Sequence, residues 1–125
     1  MNGKYIFNKA TGKTRLVSSP TEWAKAFEDK DNNRIGLDYL TKEVCVSTVF
    51  LGLDHNFGGG GPPLLFETMV FSEDERVKDQ ACWRYATMAK AVEGHKKICE
   101  DTKALLGMSN PKQLSKQLTM WPVDE

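Results

Sequence analysis

Glu67 is the single charge in the run PPLLFETMVF, where it lies between Leu65 and Met69 on a face that also carries Phe71. A carboxylate in such surroundings is desolvated, and its pKa rises unless a cation or hydrogen-bond donors meet it. That environment suits a general acid or base, a metal ligand, or a hook for a polar ligand; the competing reading is an ion pair with lysine or arginine at a sheet edge, or exposure to solvent on an incompletely covered sheet. Upstream, Asp54, His55 and Asn56 follow Leu51-Gly52-Leu53, the end of a strand-like run, and loops at strand ends are where scaffolds hold working groups. Adjacent Asp and His diverge on extended backbone, so they form no dyad by neighbourhood alone. An Asx turn closed by Asp54 or Asn56, with His55 exposed, is the favoured reading. His95 and Cys99 are four apart and share a helix face, a spacing that presents two ligands to zinc or another soft divalent metal. Two ligands do not make a site, and a histidine on an apolar stripe is more often a hydrogen-bonded core residue, so neither a metal nor a cofactor is expected.

The glycines at 58–61 resemble a phosphate loop only in composition. They lack the following Lys-Ser/Thr, and they lead through Pro62-Pro63 into a strand rather than a helix, which leaves no helix N-terminus for a phosphate. Flexible glycine followed by stiff diproline reads as a mobile flap, or as a segment ordered by a partner. Ser47 and Thr48 lie inside a strand with no nucleophile elbow, which argues against serine hydrolase chemistry. Trp23, Phe27, Phe50, Phe66 and Phe71 read as core aromatics; Trp83 and Trp121 are those whose exposure would mark a binding face. The candidate catalytic residues are therefore Glu67, His55 and His95. The candidate ligand or partner contacts are Asp54, His55, Asn56, Gly58, Gly59, Glu67 and Trp83.

These residues need a scaffold. Residues 4–8 and 14–17 read as a small edge hairpin turning at Gly12. Ser19-Pro20-Thr21-Glu22 supplies a capping box for a helix over 20–29 with Trp23, Ala26 and Phe27 on its apolar face. Residues 29–33 read as a charged turn whose asparagines tolerate positive φ, and 34–39 as extended. Residues 43–51 and 64–71 are mostly apolar on both faces, with Glu67 the single charge of the second, and pair as antiparallel central strands. Residues 72–79 form a solvated connection, and 82–85 a short strand. Thr87 caps a long helix over 87–106 whose stripe is Met88, Ala91, Val92, His95, Ile98, Cys99, Thr102 and Leu105, stopped by Gly107. A last short helix begins at Asn110-Pro111. The fold class is α+β: a mostly antiparallel sheet of about four or five strands with one long helix across a face and one or two short helices.

The chain of 125 residues reads as a single domain, with 107–125 as a C-terminal appendage closed by Trp121. Seventeen basic residues balance seventeen acidic ones, so no overall field draws in nucleic acid or anionic membrane. Three cysteines without a C-x-x-C pair argue against a secreted disulfide framework and a zinc ribbon. The N-terminus lacks a signal-like apolar core, and no run approaches the about 18 apolar residues of a membrane span.

Taken together, the hairpin residues VSTVFLGLDHNFG and PPLLFETMVF, with Glu22-Trp23, Arg84-Tyr85-x-Thr87 and Ala91-x-x-Gly94-His95, resemble a widespread family of small uncharacterised proteins of tailed bacteriophages. The match covers most of residues 4–95; the long glycine run, Met88 and the C-terminal helix depart from the usual form. The resemblance implies a phage or prophage origin and a host bacterial cytoplasm, and carries no reaction to transfer. Two functions are expected from this reading. One is a non-enzymatic accessory module that binds a host protein or a small nucleotide-like ligand, to blunt host defence or redirect metabolism. The alternative is a small metal-assisted or acid/base hydrolase using Glu67 with His55 or His95. Neither membrane nor nucleic acid is an expected partner; a homo-oligomer is compatible with the sequence.

Overall fold

A computed structural model of the protein describes residues 3–56, 59–79 and 81–108. Gly58, Trp121 and the expected C-terminal helix lie outside the described residues. Among those described, no helix is long and apolar enough to cross a membrane.

The architecture is α+β, with two antiparallel sheets. β1 (Lys4–Asn8) and β2 (Lys13–Val17) form a separate two-stranded hairpin. α1 (Pro20–Phe27) starts as its sequence dictates, with Pro20 in the first turn and Ser19 Oγ accepting the Glu22 amide at 3.1 Å. The other half of the expected capping box is not formed: the Glu22 carboxylate turns to Arg15 of β2, 2.5 Å away, because a cation competes better for it than a backbone amide does. The expected turn at 29–33 is instead a single helical turn, α2 (Lys30–Asn33), capped by Asp29. Its asparagines are used for hydrogen bonding rather than for positive φ. Asn32 Nδ2 donates to Phe7 O at 2.7 Å and Asn33 Nδ2 to Ala26 O at 3.1 Å, which ties the hairpin and α1 together.

The larger sheet has the order β3-β4-β5-β6, formed by β3 (Arg34–Thr41), β4 (Val44–Phe50), β5 (Phe66–Ser72) and β6 (Cys82–Tyr85). The expected pairing of the two central strands holds, with Val49 opposite Glu67 and Thr48 opposite Thr68. α3 (Met88–Leu105) packs across one face against all four strands. Thr87 accepts the Lys90 amide as its N-cap, and Gly107 follows its C-terminus with φ of 67°. In the last turn Leu106, not Leu105, enters the core.

Alternation along β4 and β5 decides which residues meet α3. Phe50 and Phe66 join Ala91 and Val92 in one apolar cluster; Val44, Val46 and Val70 join Ile98 and Cys99 in a second. Val77 also enters the second cluster, although it lies in the connection expected to be solvated. The opposite face of the sheet carries the other parity of each strand, and there the expectation of central strands buried on both sides holds at Cys45 of β4, which is buried, and fails at Phe71 of β5. Leu37, Tyr39 and Phe71 are 38%, 71% and 44% exposed on it, because α3 covers one face only. Phe27, also expected in the core, is partly exposed and packs against Trp23 at 4.9 Å.

Candidate functional site

Between the two apolar clusters runs a polar row. On β4 and β5 the inward positions read phenylalanine, threonine, valine, so Thr48 and Thr68 face each other where two side chains must meet in the middle of the core. On α3, His95 falls between Val92 and Ile98 and is fully buried. A buried polar group is costly unless it is bonded, and here the bonds are made. Tyr85 OH donates to Thr68 Oγ1 at 3.0 Å, the two threonine oxygens are 2.5 Å apart, Thr48 Oγ1 is 2.6 Å from His95 Nδ1, and His95 Nε2 is 2.7 Å from Asp38 Oδ2.

The chemistry of the two ends sets the direction of the chain. Asp38 as a carboxylate only accepts, so Nε2 donates to it and the neutral ring accepts at Nδ1. Thr48 then donates to His95, Thr68 to Thr48, and Tyr85 to Thr68. Burial lowers the His95 pKa below its ordinary 6.5, against the opposing pull of Asp38, which keeps the imidazole neutral. Burial likewise raises the Tyr85 phenol, with the Thr68 bond opposing it. Gly36, opposite Thr48 on β3, leaves room for the ring: a Cβ there would lie 2.9 Å from Cε1 and Nε2 of His95. Cys99, one turn beyond His95, has its Sγ 3.8 Å from Asp38 Oδ2, and burial first, then the Asp38 charge, pushes its thiol up to about 12.

Glu67 is on the other side of the sheet. Its neighbour Thr68 points at α3, and alternation sends Glu67 to the open face. There it receives Arg84 Nε at 2.9 Å across the β5–β6 pair. The cation that would relieve its desolvation is therefore present. Glu67 and His95 point to opposite faces and do not share a reacting centre. Trp83, opposite Thr68, belongs to the α3 side of the sheet and is partly exposed, so it too is separated from Glu67.

In the loop, Asp54 Oδ1 accepts the Asn56 amide at 2.8 Å and the Leu64 amide at 2.9 Å. Asn56 Nδ2 donates to Gly60 O and Pro62 O, and its carbonyl accepts the Gly59 amide. Asp54 and Asn56 thus close the connection between β4 and β5. The His55 amide donates to Leu64 O, and its Nδ1 lies 2.9 Å from Leu53 O.

Sequence reasoning passed over Asp38, Thr48, Thr68 and Tyr85 as chemistry. A partial signal was present: Thr48 and Thr68 each share a strand face with phenylalanine and valine, but only the register brings them opposite each other. Asp38 carried no comparable signal, since only the β3–β4 register places it under α3. No protein-family model matches the chain, and no curated protein and no solved structure matches it.

Proposed function

We propose that the protein is a non-enzymatic binding module of bacteriophage origin that captures a host protein in the bacterial cytoplasm on the open face of its four-stranded sheet. The observation that carries this reading is the row Tyr39–Cys45–Phe71, three residues aligned across β3, β4 and β5 with both aromatics exposed. Leu37 and Met69 form the next row of the same face, flanking Ser47. Rigid aromatic side chains on a sheet supply contact area at low entropic cost and are enriched at protein–protein contacts.

A groove of about 350 Å³ beside this row gives the partner a chemistry. It is lined by Tyr39 and Phe71 together with Glu43, Glu73 and Asp79, against which stands one lysine, Lys42. Three carboxylates and one cation favour a segment that sets a lysine or arginine beside an apolar anchor.

The test is recovery of host proteins on immobilised wild-type chain and on a Tyr39→Ser/Phe71→Ser double variant, followed by calorimetry with the purified captured protein. The expected result is binding by wild type and at least about a tenfold loss in the variant, since two exposed aromatic anchors are removed. Equal affinity of the two chains rules out the open face. If the wild type alone sediments as a dimer and the double variant as a monomer, the face joins copies of this chain and the host-protein reading fails.

A further inference from the structure

On the α3 side of the sheet, away from the open face, Asp38 of edge strand β3 meets His95 and Cys99 of α3. One ligand atom from each lies within 4.8 Å of the others. The three groups are a carboxylate, an imidazole and a thiol, the donor types that bind zinc and its neighbours in the first transition row. Their spacing arises from two independent constraints: the four-residue repeat that stacks His95 over Cys99, and the register that puts Asp38 across from Val46, directly beneath the helix.

Two further features fit an ion. Thr48 Oγ1 backs the Nδ1 atom of His95 at 2.6 Å, the outer hydrogen bond that orients a metal-bound imidazole. The Asp38 side chain is 41% exposed while His95 is sealed, so the cluster has an entry from solvent on one side and room there for water. Tetrahedral coordination at about 2.0–2.3 Å separates ligand atoms by about 3.3–3.7 Å. The carboxylate-to-sulfur distance of 3.8 Å is already close to this, and the carboxylate-to-imidazole distance of 2.7 Å must open by under about 1 Å. Rotation of the half-exposed Asp38 side chain supplies that opening, and the His95–Cys99 pair, within 4.8 Å, must close by up to about 1.3 Å through rotation of the Cys99 side chain.

We propose that Asp38, His95 and Cys99 form a site for a divalent transition metal of zinc type, with a water molecule as the fourth ligand. On binding, the Cys99 thiol gives its proton to solvent and the sulfur bonds the metal as thiolate. His95 stays neutral: its proton leaves Nε2 and is held on Nδ1, which now donates to Thr48. The hydroxyls of Thr48 and Thr68 turn to donate toward Tyr85, so the chain of hydrogen bonds remains complete with its direction reversed. The ion clamps edge strand β3 to α3. This site is independent of the proposed docking face and stands or falls without it.

Cobalt(II) added to the purified full chain is the probe, because a cysteine thiolate on cobalt produces a charge-transfer absorption and a four-coordinate site gives intense visible bands. Cys82 is exposed and Cys45 is buried on the open-face side, so Cys82→Ser and Cys45→Ala serve as controls. The expected result is one equivalent bound, displaced by zinc, with the absorption retained in both controls, abolished in Cys99→Ser, and affinity reduced at least about tenfold in Asp38→Asn. Far-UV circular dichroism of each variant without metal checks its fold; should Cys99→Ser not fold, Asp38→Asn, altered on a half-exposed side chain, carries the test. No charge-transfer absorption in the wild type, or unchanged absorption in Cys99→Ser or unchanged affinity in Asp38→Asn, overturns the site.

Discussion

Thr48 and Thr68 face each other at 2.5 Å between two apolar clusters, and this pair links the only charged end of the buried chain, Asp38, to the phenol of Tyr85. Four of the five groups lie on the four strands of the sheet and the fifth, His95, on α3, so each sits on a different element from the next. The core is thereby specified by hydrogen-bond matching as well as by apolar volume.

Replacing Thr48 by valine conserves shape but removes the hydroxyl that bonds both His95 Nδ1 and Thr68 Oγ1. The expected loss is about 1–3 kcal/mol of unfolding free energy, measured by urea denaturation of the metal-free protein. A loss below about 0.5 kcal/mol, the range of ordinary surface changes, would show that the row contributes little.

Gly36→Ala tests the packing of the imidazole against β3. A methyl group 2.9 Å from the ring must displace it from Thr48 and Asp38, at a cost of about 1–3 kcal/mol. In a His95→Ala background the same glycine change is expected to add almost nothing, because the space is vacated. A double-mutant cycle that comes out additive would place the clash elsewhere.

His95 also predicts a pH dependence. Its folded pKa is depressed below 6.5 by burial, so the unfolded chain takes up the proton more readily. The stability it contributes is complete above about pH 6.5 and declines as pH falls through the lower folded pKa. Stability measured against pH with a chelator present should fall on this acid limb in the wild type, and the limb should be shallower in His95→Gln. Parallel curves for the two chains would assign the acid limb to other groups.

Glu67→Gln is expected to cost at most about 1 kcal/mol, the range of a partly exposed ion pair, with Arg84→Gln similar and the double change not additive. A rise in melting temperature on Glu67→Gln is the contrary outcome, and it would mark Glu67 as a carboxylate whose desolvation Arg84 does not offset.

Much of the fold was legible in local pattern. The capped starts of α1 and α3, the stop at Gly107, and the pairing of the two central strands all depend on residues close in sequence or on strand alternation, which short-range chemistry dictates. The two-faced apolar character of β4 and β5 was legible as well, but its meaning was not. Nothing local says whether a second layer covers an apolar strand face, and so Phe71 was expected in the core and lies exposed on the open side.

The candidate site divides along the same line. Sequence by itself determined that Asp54 and Asn56 sit at a strand end as turn-closing residues, that His95 and Cys99 share one helix face, and that Thr48 and Thr68 each share a strand face with valine and phenylalanine. Tertiary structure alone decided that Glu67 meets Arg84 on one face while His95 meets Asp38 on the other. The physical reason is that a β-strand reverses its side chains at every residue, so one step of register separates an exposed ion pair from a buried hydrogen-bond chain. Which partner each group finds then depends on contacts 17 and 57 residues apart in the chain, and these exist only once the sheet and α3 have come together.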